Sequence, residues 1–331
     1  MLARLLGLFV RRFTGVLIVT AVMAASAVAA TPGRKIAILF ADFSERAGIA
    51  FVAKDQHFFE EQGLDSDIVQ VRSGPVAISA LAANEAQFYM ASANAATLGA
   101  MASGLDLAFI AGLINKLDGY FVTNAKIRAP DDLKGTIIGV QSIVGGGVWV
   151  FAQMALDHWG LNTERDKIQI RVIGDQSVLA QAMSTGIVDG SVFGYAFSQI
   201  VQRRGGRLLA DLPKLNIPFQ GIGLIARRSF VNGSPDTVEK TLKALLKSNQ
   251  FIQDKNNQPA VWRSLRKWLR LAPNEGGDEL YERMRSLYDR RISPTREGIQ
   301  NSLRVLSKVD PKFSKLKAED LIDDRMARKL E

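Results

Sequence analysis

Residues 135–160 read GTIIGVQSIVGGGVWVFAQMALDHWG. Residues 136–140 are a short β-rich run that ends at Gln141-Ser142; Gly145, Gly146 and Gly147 follow, and a helix opens. Val148, Phe151, Ala152, Ala155 and Trp159 recur at helical spacing, so one face of that helix is apolar and turned toward a core. Two roles are open to the glycines: a tight turn between strand and helix, or a close approach of the backbone to a ligand. The first N–H groups of a helix lack intrahelical partners and its dipole is positive there, which suits a small polar or anionic molecule.

The alternation continues on both sides. Downstream, strands are expected over 168–173, 190–193 and 208–212, with helices near 177–185 and 196–203. Gly174-Asp175-Gln176 and Gly194-Tyr195 fall at carboxyl ends of strands, the edge where ligands sit in open parallel sheets. Upstream, 35–40 (KIAILF), 68–71, 88–91 and 107–113 read as strands. One helix is expected from Ile49 to about Gln62, closed by Gly63, and another from Pro75. The loop ADFSERAG, 41–48, carries Phe43, Ser44 and both charge signs, and Ser92-Ala93-Asn94 stands where the third strand becomes a helix. Ser92 suits an N-cap as well as a ligand contact. This β-α alternation is the pattern of a largely parallel sheet covered by helices. Residues 120–123 form one more strand before the polar connection KIRAPDDL, and a second β-α series then begins. After an isolated apolar strand over 219–226, the chain reads as helical from Ser234, with starts at Pro235, Pro259, Asp278 and Pro294. A helical tail without strands of its own is expected to pack on one of the sheets.

At 331 residues, 47% hydrophobic and 23% charged, the chain has the composition of an ordinary globular protein with room for two cores. The absence of cysteine excludes disulfides, thiolate metal sites and cysteine nucleophiles. His57 and His158 are the only histidines and lie at no useful ligand or acid–base spacing. The glycines lack the G-x-G-x-x-G spacing, and there is neither a phosphate-binding G-x-x-x-x-G-K loop nor H-E-x-x-H, so no cofactor and no metal are expected. The net charge is +9; the cations over 263–270, beside Trp262 and Trp268, read as the solvated face of an amphipathic helix, and no nucleic-acid partner is expected. Residues 1–30 carry Arg4, Arg11 and Arg12, an apolar run and Ala27-Val28-Ala29, the pattern of a cleaved signal peptide. The apolar run is short for a membrane span, and Arg11-Arg12 leaves Sec and twin-arginine export both open. A lipid-free periplasmic protein is expected.

Several segments share one pattern. Ala50-Phe51-Val52-Ala53-Lys54 precedes Phe58-Phe59-Glu60-Glu61-Gln62-Gly63-Leu64-Asp65; Ala80-Leu81-Ala82-Ala83 precedes Phe88-Tyr89-Met90-Ala91; Asp131-Asp132-Leu133-Lys134-Gly135 leads into an apolar strand; and Ala182-Met183-Ser184-Thr185-Gly186-Ile187-Val188-Asp189-Gly190 follows. In order and spacing these resemble the solute-binding proteins of bacterial ABC importers for nitrate, sulfonates, taurine and related compounds, over essentially all of residues 35–331. Three positions depart from that family's pattern: His57 and Asn84 stand where it has glycine, and Gln87 where it has aspartate.

The resemblance implies an α/β, two-lobed periplasmic-binding-protein fold of type II. Each lobe would be a mostly parallel sheet flanked by helices, the two joined by two crossing hinge strands. Lobe one would comprise 31–121 and 221–331 with the C-terminal helices, lobe two 122–220, and the crossovers 120–123 and 219–223. The implied function is a monomeric periplasmic receptor that takes a small anionic or polar organic solute (a sulfonate, taurine or nitrate) in the inter-lobe cleft and delivers it to an inner-membrane ABC permease, with no catalysis. Phe43, Ser44, Ser73, Ser92 and Asn94 are the expected contacts from lobe one, and Ser142, Gly145, Gly146, Gln176 and Tyr195 those from lobe two. Arg46 is open to two readings, an anion partner or a surface arginine. The anionic group is expected at the helix start near Gly146, because no acidic residue lies between Thr136 and Gln153. Two other functions stay open: an enzyme on the same fold, like the thiamine-pyrimidine synthases, which use cysteines and a histidine, and a ligand-sensing partner of a membrane receptor.

Overall fold

The apolar runs of the chain build two separate five-stranded sheets. The computed structural model describes residues 33–41, 44–141, 146–271 and 277–331, and Arg34–Glu331 form one compact unit. The first sheet contains β1 (Arg34–Phe40), β2 (Leu64–Gln70), β3 (Phe88–Ala91) and β4 (Leu107–Lys116). The second contains β5 (Tyr120–Thr123), β6 (Ile137–Val140), β7 (Gln169–Val172), β8 (Gly190–Phe193) and β9 (Arg207–Asp211), and β10 (Pro218–Arg227) returns to the first.

The strand orders are β2-β1-β3-β10-β4 and β7-β6-β8-β5-β9. In each sheet the strands joined by helical crossovers run parallel, as a crossover requires, while the inserted strand, β10 or β5, pairs antiparallel on both sides. Each sheet is therefore mixed, with one reversed strand, and the two are organised alike. The chain passes from the first sheet to the second through Leu117, Asp118 and Gly119, and back through the turn Leu212–Leu215 with Asn216 and Ile217. The residues expected as crossovers, 120–123 and 219–223, lie inside β5 and β10, just beyond each passage.

Both faces of the first sheet are covered. Ile36, Ile38 and Phe40 pack with the helix Gly48–Asp55 and with tail helices Pro235–Gln253, Gln258–Leu269 and Asp278–Leu287. Phe51 stacks on Trp268 at 4.8 Å, with the rings 2° from parallel. On the other face Leu39, Tyr89 and Phe109 join a core that includes the helix Gly147–His158. The tail helix Arg296–Ser307 lies on β10 and also packs against Gly147–His158.

One expected helix is two. Gly48–Asp55 ends at Gln56, His57 takes a left-handed backbone (φ 59°), and Phe58–Glu61 forms a separate turn. The break redirects the chain so that Phe58 and Phe59 are both buried in the core that holds Leu64. Asn84 is also left-handed (φ 64°), and Gln87 uses its side-chain oxygen to accept from the Ala37 N–H at 2.8 Å. The two departures from glycine thus keep a backbone conformation that glycine adopts freely. For a residue with a Cβ that conformation costs about 1–2 kcal/mol, and glycine's greater unfolded-state freedom returns about half of it. His57→Gly is expected to stabilise the protein by about 0.5–1 kcal/mol, read as a higher urea midpoint; an unchanged or lower midpoint would refute the strain.

Candidate functional site

A cleft of 380 Å³ lies between the carboxyl ends of the two sheets, lined by residues from both. The β-α turns of both sheets converge on it, so several helix starts face one space. From the first sheet come Gly74 and Pro75, which open the helix Gly74–Ala82, and Asn94, which caps Ala95–Ala102. Asn94 accepts from the Thr97 N–H at 3.1 Å, and its amide donates to Ser92 Oγ at 3.1 Å. From the second sheet come Gly147, Gln176 and Gly194, at the starts of Gly147–His158, Gln176–Ser184 and Tyr195–Arg203. Asp175 caps one of these through the N–H groups of Ser177 and Val178. The other two begin at Gly146 and Gly194, which have no side chain to cap them, so their first N–H groups stay available. Gln176 Oε1 accepts from the Gly194 N–H at 3.0 Å and ties two starts together.

Four charged groups occupy the first-sheet side. Arg283, on Asp278–Leu287, donates from Nε to Glu45 at 3.0 Å and from its terminal nitrogen to Asp118, and its guanidinium lies 4.4 Å from the Tyr120 ring centre. Arg46 pairs with Asp118 at 3.2 Å and donates to the Gly221 carbonyl at 2.8 Å. Asp118 belongs to the first passage between the sheets, and Gly119 beside it has φ +113°. A Cβ at Gly119 would meet Val192 at 2.9 Å and Phe193 O at 3.1 Å, so only glycine fits this turn. Burial raises the Glu45 carboxyl pKa, with Asp118 adding to the shift and Arg283 opposing it. Burial works against the charge of Arg283, but Asp118 and Glu45 outweigh it and raise its pKa. The Tyr288 hydroxyl accepts from the Ile49 N–H at 2.9 Å and donates to the Glu45 and Arg46 carbonyls, each at 3.1 Å, which fixes the segment carrying both side chains.

Of the expected contacts, Ser44, Ser92, Asn94 and Gln176 line the cleft. Ser73 does not; it sits at the N-cap, and its neighbours Gly74 and Pro75 take the lining position. Gly146 is likewise the cap, and Gly147 and Val148 reach the cleft instead. Tyr195 faces away, because each residue along a helix turns by about 100° and only its neighbour Gly194 meets the cleft. Its hydroxyl bonds the Glu279 carboxylate, and it borders a separate open depression of 680 Å³ with Tyr120 and Asp211. Phe43, Ser142 and Gly145 lie outside the described residues. Arg46 is an inward-facing arginine with a 17% exposed side chain, so the surface reading fails.

Sequence reasoning missed Glu45, Asp118, Arg283, Tyr89 and Phe151. Phe151 carried only a core signal, and it does meet Phe219 edge-on at 5.2 Å. Arg283 carried no signal, being one of two arginines in a charged helix.

A family model described as "NMT1/THI5 like" matches residues 46–258, more than half of the chain. Comparison with curated proteins finds no match. Among solved structures, the periplasmic aliphatic sulphonate binding protein SsuA from Escherichia coli has 18% identity and a TM-score of 0.70, over 87% of this chain and 97% of that one. A putative periplasmic sulfonate-binding protein from Methylobacillus flagellatus has 17% identity and a TM-score of 0.66, covering 90% and 94%. The periplasmic nitrate-binding protein NrtA from Synechocystis has 11% identity and a TM-score of 0.64, covering 90% and 88%. At these identities the likeness is one of fold: the two mixed sheets are those of a two-lobed periplasmic binding protein.

Proposed function

Because the chain belongs to the NMT1/THI5-like family, we propose that it is the periplasmic solute-binding component of an ABC importer and captures a small polar organic solute with an anionic or strongly electronegative group. One observation carries the reading: helix starts from both sheets converge on a single cleft of 380 Å³, and two on the second-sheet side are uncapped. That volume is near the lower end of ligand pockets, roughly 300–1,000 Å³, and suits a small solute. The electronegative group is placed at the starts at Gly147 and Tyr195, where free N–H groups and helix dipoles favour it. Phe151 and Val148 offer an apolar wall beside them, which favours an organic sulfonate over bare nitrate. Ser44, Ser92, Asn94 and Gln176 supply hydroxyl and amide contacts. The export pattern over 1–30 supports a periplasmic location, and delivery to an inner-membrane permease follows from the family reading. The chain has no cysteine for synthase chemistry of the kind that uses it.

The test is a thermal-shift screen of nitrate, sulfonates, taurine, carboxylates and thiamine precursors. A captured solute at ~100 times its dissociation constant adds about 2.7 kcal/mol of stability and raises the melting temperature. At Gly147 a Cβ would meet no atom of the described residues within 4 Å, so Gly147→Val is expected to keep the fold while intruding on the cleft. Binding should weaken by about tenfold or more, as expected for losing at least about 1.4 kcal/mol. Wild-type affinity in that variant would remove the helix start from the site, and turnover of a bound solute would replace the receptor with an enzyme.

A further inference from the structure

We propose that Glu45 is a specificity-determining residue of the cleft: capture of an anion is accompanied by uptake of one proton from solvent at Glu45, so that the lining adjusts its charge to the solute. The inference rests on the reading of this cleft as the capture site. Among the described residues, two lining carboxylates, Glu45 and Asp118, stand against two lining guanidinium groups, Arg46 and Arg283, and each guanidinium is already paired with a carboxylate. Neither arginine is a spare cation. An entering anion therefore adds a negative charge beside two carboxylates whose cations are already engaged, and like-charge repulsion opposes it. Neutralising one carboxylate offsets the added charge.

Geometry selects Glu45 for that role. Among the described residues, Asp118 is held by both Arg46 and Arg283, whereas Glu45 is held by Arg283 alone. Among the described residues, the groups facing Glu45 are Arg283 from the helix Asp278–Leu287, Asp118 from the passage and Arg46 on its own segment; the Tyr288 hydroxyl touches its backbone, and Tyr120 stacks on Arg283. Burial, with Asp118 adding to it, already shifts the Glu45 carboxyl toward its neutral form, and a nearby anion shifts it further. With the Glu45 pKa higher in the complex than in the free protein, the affinity gain is fully present below the free-protein pKa. It is lost as pH rises through the pKa of the complex.

The test uses the full mature chain and propane-1-sulfonate as the probe, titrated calorimetrically between about pH 5.5 and about pH 8 in pairs of buffers with different ionisation enthalpies. The dissociation constant of the wild type is expected to rise by up to about tenfold per pH unit, and the heat to differ between buffers by the uptake of about one proton. Glu45→Gln mimics the protonated state at every pH, so its binding should be at least as tight as that of the wild type at low pH, with a flat profile and no buffer dependence. A flat wild-type profile overturns the proposal, and so does a Glu45→Gln protein that keeps the slope. Failure of the probe to bind either protein at low pH also overturns it, while a neutral solute found in the thermal-shift screen would leave the capture reading standing. The wild-type buffer comparison decides the matter even if the variant folds poorly.

Discussion

Replacing Arg283 with methionine is expected to remove about 3–5 kcal/mol of unfolding free energy, the cost of breaking a buried charge network by deleting one partner. The side chains of Arg283 and Asp118 are 6% and 5% exposed, so solvent screens little of the loss. Methionine fills much of the volume but leaves Glu45 without its cation and Asp118 with Arg46 alone. The stacking on Tyr120 goes as well, and with it a contact between the tail helix and the second sheet. Urea denaturation followed by circular dichroism measures the change. Adding Glu45→Gln to Arg283→Met should recover part of the loss, because the glutamine needs no buried counter-charge while Asp118 keeps its pairing with Arg46. A single variant that loses less than about 1 kcal/mol, in the range of an exposed ion pair, would show that the network is effectively solvated.

Gly298→Val is expected to cost about 3 kcal/mol or more, through overpacking that the site cannot relax. Gly298 lies in the first turn of Arg296–Ser307, where that helix crosses β10. A Cβ there would stand 2.6 Å from Phe219 C and 2.7 Å from Gln220 N, both backbone atoms of a central strand. Rotating a side chain cannot make the room, so the helix must move. Moving it breaks the hydrogen bond from Thr295 N–H to Gln220 Oε1 at 2.9 Å and the one from the Asn301 amide to Pro218 O at 3.0 Å. It also loosens Ile299, Leu303 and Leu306 in the core shared with Gly147–His158. Solute affinity should therefore fall together with stability. A near-wild-type melting temperature would mean that the helix sits on β10 with slack.

What the sequence determined by itself is whatever is encoded within one element or one turn. Alternating apolar runs and helical faces located the strands and most helices, because burial periodicity is a local property. Gly146 and Gly194 marked helix starts at strand ends, and the order of β-α units implied parallel pairing. The resemblance added the two-lobed plan, which the sheet topology matches. The one clear misreading among the helices, the break at His57, came from a left-handed residue inside a favourable helical pattern. Only the tertiary structure decided which of those turns share one space and which side chains enter it. Ser73, Gly146 and Tyr195 each missed the cleft by a single residue, since a helix start specifies a location but not a rotation. The charge balance of the cleft was hidden for a different reason. Arg283 meets Asp118 and Glu45 across 165 and 238 residues of chain, and no local pattern distinguishes an arginine destined for a buried carboxylate from one left in solvent. Pairing of buried charges is fixed only when distant segments exclude water together, so it exists in the fold and nowhere in a window of sequence.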